Sequence, residues 1–260
     1  MTRYLDNCSS CGEPQTTDVP AGRSVWPVFD LDLKPPADVA WLWPQNCVRC
    51  IGCGACWVGI GDIPRDAKQF VASPAYREVA DGPWPTGFRE EMAAALLAEH
   101  LGMHEFAFER HLIASWIADD EQTWLGSPES SRSLADLART RAVQSWIAAA
   151  GDPTTEPLPR CTETAAVTVT GDVLLDNQVL VDLLRRLGQW ERARAAAASA
   201  RRALADTLAA WGGADGLRDD EERELVSACE VALDVEDTLI AHRICDRAHA
   251  RLDLPVWIAG

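Results

Sequence analysis

Lysine is nearly missing from this chain: Lys34 and Lys68 are the only two in 260 residues, and the other basic residues are arginines. Beside the Ala-rich stretches, this reads as GC-rich codon usage, which bears on origin and not on function. Positive charge is scarce overall, with 24 Lys and Arg against 40 Asp and Glu and a net charge of −16. Such a surface repels phosphate backbones, so nucleic-acid binding through a broad basic face is not expected. The first 70 residues hold six basic and eight acidic side chains, so the repulsion comes mainly from the remainder and leaves room for a small local contact.

Long apolar runs are missing as well. No stretch approaches the roughly eighteen apolar residues that a membrane span requires. The polar opening Met1-Thr2-Arg3-Tyr4-Leu5-Asp6 meets Cys8 without the apolar core of a secretory signal. The expectation is a cytoplasmic protein with no membrane contact, where clustered cysteines mean metal rather than disulfides.

Signatures of catalysis are also wanting. There is no glycine-rich phosphate loop, no Gly-x-Ser-x-Gly elbow and no kinase-type set. Glu99, His100, His104, Glu105, Glu109 and His111 cluster in sequence. They lack the Glu-x-x-His spacing of di-iron bundles and the His-Glu-x-x-His of zinc proteases. They are expected to form a solvated helix face with capping and ion-pair roles. No catalytic residue is assigned, and the chain reads as a non-enzyme.

Cysteine, by contrast, is plentiful. Six of the nine cysteines fall in the first 56 residues: Cys8-Ser-Ser-Cys11-Gly12, then Cys47-Val-Arg-Cys50-Ile-Gly-Cys53-Gly-Ala-Cys56. Cys-x-x-Cys-Gly is a metal knuckle, in which a tight turn aims both thiolates one way and the glycine takes the backbone angle after the second sulfur. It occurs at Cys8, Cys11 and Gly12 and again at Cys50, Cys53 and Gly54. Two such knuckles joined by a linker able to form strands resemble a zinc ribbon, with four thiolates around a structural Zn²⁺. Cys47 and Cys56 are then surplus, either further ligands or small buried hydrophobes flanking the site. The run Cys47-x-x-Cys50-x-x-Cys53 also resembles part of a [4Fe–4S] ferredoxin segment, but Cys56 arrives one residue early and is followed by Trp57 rather than Pro. The metal is therefore zinc, with an iron–sulfur cluster as the alternative. Between the knuckles, Phe29, Leu31 and Leu33 alternate with polar residues as in a half-buried strand. Trp26, Trp41, Trp43 and Trp57 are expected to supply core to so small a module. Cys161, Cys229 and Cys245 read as ordinary thiols.

Beyond the Cys-rich module of residues 1–70, the pattern over 71–260 turns helical. Apolar residues recur at helical spacing over 87–118, with a turn at Gly102, and a second hairpin covers 177–208 with its turn at Gly188. An offset of 86 residues places Leu101-Gly102 on Leu187-Gly188, Glu105 on Glu191, Ala107 on Ala193 and Ala114 on Ala200. Leu183-Leu-Arg-Arg-Leu-Gly-Gln-Trp-Glu-Arg-Ala193 resembles tetratricopeptide-type hairpins, although the two hairpins are not adjacent and no proline closes either. Further helices are expected over 131–150 and from Asp219-Asp-Glu-Glu222 to about Leu252, with a Thr- and Pro-rich loop at 152–171 that includes a short strand at 166–169. The fold class is mainly α: a zinc-ribbon-like module with short strands, then an irregular bundle of such hairpins. The combination, including Trp116-Ile-Ala-Asp-Asp120, resembles bacterial proteins whose function is itself unknown, and it implies a scaffold that binds another protein or peptide. The negative surface favours a basic partner.

Overall fold

The computed structural model describes residues 2–19, 28–29, 31–32, 34, 47–120, 128–153, 155, 173–213, 220–245 and 252–253. The chain is mainly helical, with short antiparallel strand pairs and a cysteine-rich segment near its N-terminus. It divides into two compact units, Met1–Arg23 with Trp41–Ser145, and Ser24–Ala40 with Trp146–Gly260. Within the first unit the cysteine segment and the helices that follow it share one core. No helix among the described residues is long and apolar enough to cross a membrane.

The first unit begins with a hairpin of β1 (Thr2–Asn7) and β2 (Pro14–Val19), followed by a smaller one of β4 (Val48–Arg49) and β5 (Cys56–Trp57), β3 (Val28–Phe29) belonging to the other unit. Each knuckle is the loop of one hairpin. A 3-10 turn at Ile60–Asp62 leads into α1 (Ala67–Val71), α2 (Pro74–Ala80), α3 (Thr86–His100) and α4 (His104–Asp120). Ser73 caps α2 by accepting from the Tyr76 amide at 3.3 Å, and Pro74 fits the first turn, where no amide donor is needed. Ala93, Ala94, Ala95, Leu97 and Ala98 of α3 and Ala107 of α4 are buried in one cluster with Cys8, Cys47, Cys50, Cys56, Trp57 and Tyr76. Trp57 stacks on Phe106 with ring centroids 4.5 Å apart, so it is core as expected; Trp26, Trp41 and Trp43 lie outside the described residues.

The helix expected over 131–150 is α5 (Pro128–Ala150), which belongs to the first unit as far as Ser145, and the second unit contains α6 (Val173–Arg186), α7 (Trp190–Ala210) and α8 (Asp220–Ala241). The hairpins α3–α4 and α6–α7 repeat one turn in the register read from sequence. Met103 N–H donates to Ala98 O at 2.9 Å and Gln189 N–H to Leu184 O at 3.0 Å, around Gly102 (φ 74°) and Gly188 (φ 67°). The paired alanines Ala107 and Ala193, Ala114 and Ala200 are all buried.

Two expectations are corrected. The last helix does not reach Leu252: it stops at Ala241, where Arg243 takes a left-handed turn (φ 53°) and Ile244 N–H bonds back to Leu239 O. Leu252–Asp253 instead forms β6, antiparallel to β3 (Val28–Phe29). The alternating stretch around Phe29 is therefore a strand for two residues only among those described, with Leu31 and Asp32 in a buried turn. It belongs to the second unit rather than to the metal module. Most of the 152–171 loop, the strand expected at 166–169 and Cys161 lie outside the described residues.

The second unit carries charge inside. Arg185 Nε donates to Glu236 Oε2 at 2.7 Å, its Nη1 to Ile244 O at 2.8 Å, and its Nη2 to Asp182, all from a fully buried position. Arg185 thus ties α6 to α8 and to the turn that ends α8. Arg185→Met leaves the buried Asp182 carboxylate with Arg186 Nη1 at 3.8 Å in place of its closer partner and is expected to cost about 3–5 kcal/mol in urea unfolding; a loss below about 1 kcal/mol would show the network to be dispensable. Burial, with Asp182 adding to it and Arg185 opposing, pushes the Glu236 carboxyl up to about 9. The folded state therefore keeps a proton there that the unfolded state releases above the ordinary carboxyl range. Stability from this group is full in acid and is lost as pH rises through about 9. Unfolding free energies of wild type and Glu236→Gln between pH 6 and about 9 should diverge in that sense.

Candidate metal centre

The two loops are built alike. Cys8 N–H donates to Glu13 O at 2.9 Å and Cys50 N–H to Ala55 O at 2.8 Å, closing each hairpin end. Gly12 N–H then donates to Cys8 O at 2.7 Å, and Gly54 N–H to Cys50 O at 2.9 Å. Both glycines sit at φ 80°, a left-handed conformation that side chains disfavour, which is why each knuckle carries Gly after its second cysteine.

The loops meet sulfur to sulfur. Cys8 Sγ lies 3.9 Å from Cys53 Sγ and Cys11 Sγ 3.6 Å from Cys50 Sγ, and all four sulfurs fall within 4.8 Å of one another. Sulfurs bound about 2.3 Å from one tetrahedral ion stand about 3.8 Å apart, so the four thiols fit a single metal ion. Cys8 and Cys50 are buried, Cys53 half-buried and Cys11 exposed. Burial pushes the Cys50 thiol up, but the amides of Cys53 and Gly52 and the thiols of Cys8 and Cys11 outweigh it and hold it at about 7. Cys53 is driven the other way, to about 12, by burial and then by Cys50. Thiols this close cannot all ionise on their own, whereas a cation between them stabilises all four as thiolates.

Cys47 and Cys56, named with these four from sequence, are not brought into the group. Cys47 is buried against Glu91 of α3, which accepts its amide at 2.8 Å through Oε1 and its thiol at 3.3 Å through Oε2. Arg110 of α4 completes this buried set, its Nη1 3.4 Å from Glu91 Oε2 and 3.9 Å from Cys47 Sγ. Burial and the Glu91 charge raise the Cys47 thiol well above its usual range. Cys56 lies in β5, its amide donating to the Tyr76 hydroxyl at 2.8 Å and its thiol pushed up to about 12 by burial. Both are small buried groups holding the second knuckle. Cys229 is buried and Cys245 exposed.

Sequence reasoning missed the side chains that fasten the loops. Tyr76 O–H donates to Gly54 O at 3.4 Å and Arg77 Nη2 to Cys53 O at 3.0 Å, so α2 braces the second knuckle. Gln15 and Ser9 bind it or its exit from the first hairpin. Glu91 and Arg110 did leave a signal: each sits three or four residues from apolar neighbours on an otherwise buried helical stripe, Phe88 and Ala95 for one, Phe106 and Ala114 for the other.

The histidine and glutamate cluster is not one solvated face. His100 is exposed and stacks on Phe70, with centroids 4.0 Å apart, and Glu105 is exposed, whereas His111 is fully buried. Helix α4 buries nearly all of its second half, and His111 lies within that stretch. Among the described residues, neither ring nitrogen of His111 has a hydrogen-bond partner. Glu99 Oε1 stands 3.5 Å from Nε2 but takes the Ser145 hydroxyl at 3.0 Å. Burial, assisted by Arg141, lowers the imidazole pKa to about 3, so His111 is neutral in the folded state. Unfolding lets it take up a proton below its ordinary pKa, so its effect on stability is absent at neutral pH and grows as pH falls from about 6.5 toward about 3. His111→Phe is expected to flatten the acid loss of stability across that window by a few kcal/mol, read from chemical unfolding at pH 7 and pH 4.5; parallel profiles would contradict it.

Comparison with protein-family models, with curated proteins and with solved structures finds no match to this chain.

Proposed function

We propose that Cys8, Cys11, Cys50 and Cys53 hold a structural Zn²⁺ and that the protein is a non-catalytic scaffold, its helical hairpins offering surface to another protein or peptide. The spacing of the four sulfurs carries this reading. A closed set of four thiolates on one ion leaves no position for substrate. In a [4Fe–4S] cluster each thiolate binds its own iron, which holds the sulfurs farther apart than a single ion does. The engagement of Cys47 with Glu91 and Arg110 also draws the first cysteine of the ferredoxin-type run away from the other two.

The scaffold part is supported by the two hairpins. Their common turn, the buried alanines after it, and Trp190 two residues past Gly188 agree with tetratricopeptide-like units, a class built for binding other chains. The net charge of −16 favours a basic partner and argues against nucleic acid.

Elemental analysis of anaerobically purified full-length protein, with its visible spectrum, tests the metal. The expected result is about one zinc per chain and no colour. Cys50→Ser should lose the metal, while Cys47→Ala and Cys56→Ala should keep it. Iron with matching sulfide would replace this reading by the iron–sulfur alternative, an electron carrier serving a partner protein. Iron without sulfide would place a redox ion on the same four sulfurs.

A further inference from the structure

The facing thiols Cys11 and Cys50 are 39 residues apart in sequence and Cys8 and Cys53 are 45, so four sulfurs meet only if one hairpin is fixed against the other. Gln15, in β2 just beyond the first knuckle, spans that gap. Its Nε2 donates to Arg49 O at 3.0 Å, and its Oε1 accepts from Ile51 N–H at 2.9 Å. Arg49 and Ile51 flank Cys50, so one side-chain amide grips the backbone on both sides of a ligand. A carboxamide presents donor and acceptor side by side, as a peptide group does, and reproduces two bonds of a strand ladder between loops that form no continuous sheet.

A separate observation shows how tightly the loops are set. A Cβ on Gly52 would stand 2.8 Å from Glu13 Cβ and 3.1 Å from Cys11 Sγ. Ser9 strengthens the same junction, its amide donating to Ile60 O at 3.3 Å and its hydroxyl to Ile63 O. None of these contacts uses the metal.

We propose that Gln15 is a positioning residue of the metal centre, presetting the Cys50 knuckle against the Cys8 knuckle so that the metal-free protein already holds its four thiols together. This rests on the reading of those thiols as a metal site, whichever single ion they take. A side chain that orients ligands from outside the coordination shell contributes about 10–100-fold to metal affinity. Gln15 is half-buried and lies outside the cysteine and alanine core, so replacing it spares the packing.

The test compares full-length wild type, Gln15→Ala and Gln15→Glu. Zn²⁺ affinity is measured by competition with a chromophoric chelator, and Co²⁺ absorption reports the ligand field. Gln15→Ala is expected to bind Zn²⁺ at least about tenfold more weakly and to shift the Co²⁺ bands, with the far-UV circular dichroism of the metal-free protein unchanged. Gln15→Glu keeps the acceptor for Ile51 N–H and loses the donor to Arg49 O, so its affinity should fall between the two. Equal affinities for wild type and Gln15→Ala would overturn the proposal. So would weaker binding that appears only together with lost helical signal, since Gln15 would then serve the fold and not the site. A wild-type chain that takes up neither Zn²⁺ nor Co²⁺ would overturn the metal centre itself, a result distinct from wild type and variant binding alike.

Discussion

Four sulfur atoms crowded within 4.8 Å set the main constraint on the first unit. Left without a cation, such thiols do not ionise together: amides and the thiols of Cys8 and Cys11 outweigh burial to lower Cys50, whereas burial and then Cys50 raise Cys53. A divalent ion reverses the sign of that interaction, turning mutual repulsion into shared attraction. Backbone sets where the sulfurs lie, since each knuckle is the closed end of a hairpin whose strands fix the sulfur positions.

The two hairpins are not equally supported. The first is tied down by Ser9 and by Gln15 and leaves Cys11 exposed. The second is embedded. Tyr76 and Arg77 hold it from α2, Arg49 reaches back to Ala80 O at 2.9 Å, and Glu91 with Arg110 fixes its entry from α3 and α4. The centre is thus a joint between a rigid half built on helices and a lighter half built on one hairpin. A classical zinc finger, by contrast, is unfolded without its ion because the metal is most of its core. Here the core around Cys50 and Cys56 also contains Tyr76, Trp57 and the alanines of α3, so helical packing carries much of that load.

How much of this was legible in the sequence follows from the range of the forces involved. The knuckles were readable because Cys-x-x-Cys-Gly encodes its own turn within five residues. The hairpins α3–α4 and α6–α7 were readable because Gly102 and Gly188 recur with alanines at fixed offsets. The end of α8 was not, since Arg243 takes the position where glycine would have announced a stop. The roles of Cys47 and Cys56 were also hidden. Spacing alone made them equal to the other four cysteines, and only the tertiary approach of Glu91 and Tyr76 separates buried brace from ligand. His111 misled for a related reason: in a list of polar letters it joins Glu105 and Glu109, but its position on α4 turns it inward.

The charges buried in each unit answer a difficulty raised by the alanines. Interfaces lined with Ala bring helices close but fit nearly as well after a slip along the axis, because one methyl replaces another at little cost. A buried ion pair has no such tolerance, since displacing it strands a charge in a place water cannot reach. Glu91 of α3 meets Arg110 of α4 across two alanine-lined helices, and in the second unit the Arg185 guanidinium of α6 donates to Glu236 of α8, so a slip there strands the guanidinium charge. Replacing such pairs by apolar side chains can cost little or even stabilise, so fixing register is their best-founded use. In the first unit that register has a chemical consequence, because Glu91 also holds the Cys47 amide and therefore the approach to Cys50. A helical slip there would move one knuckle against the other and open the tetrahedron of sulfurs.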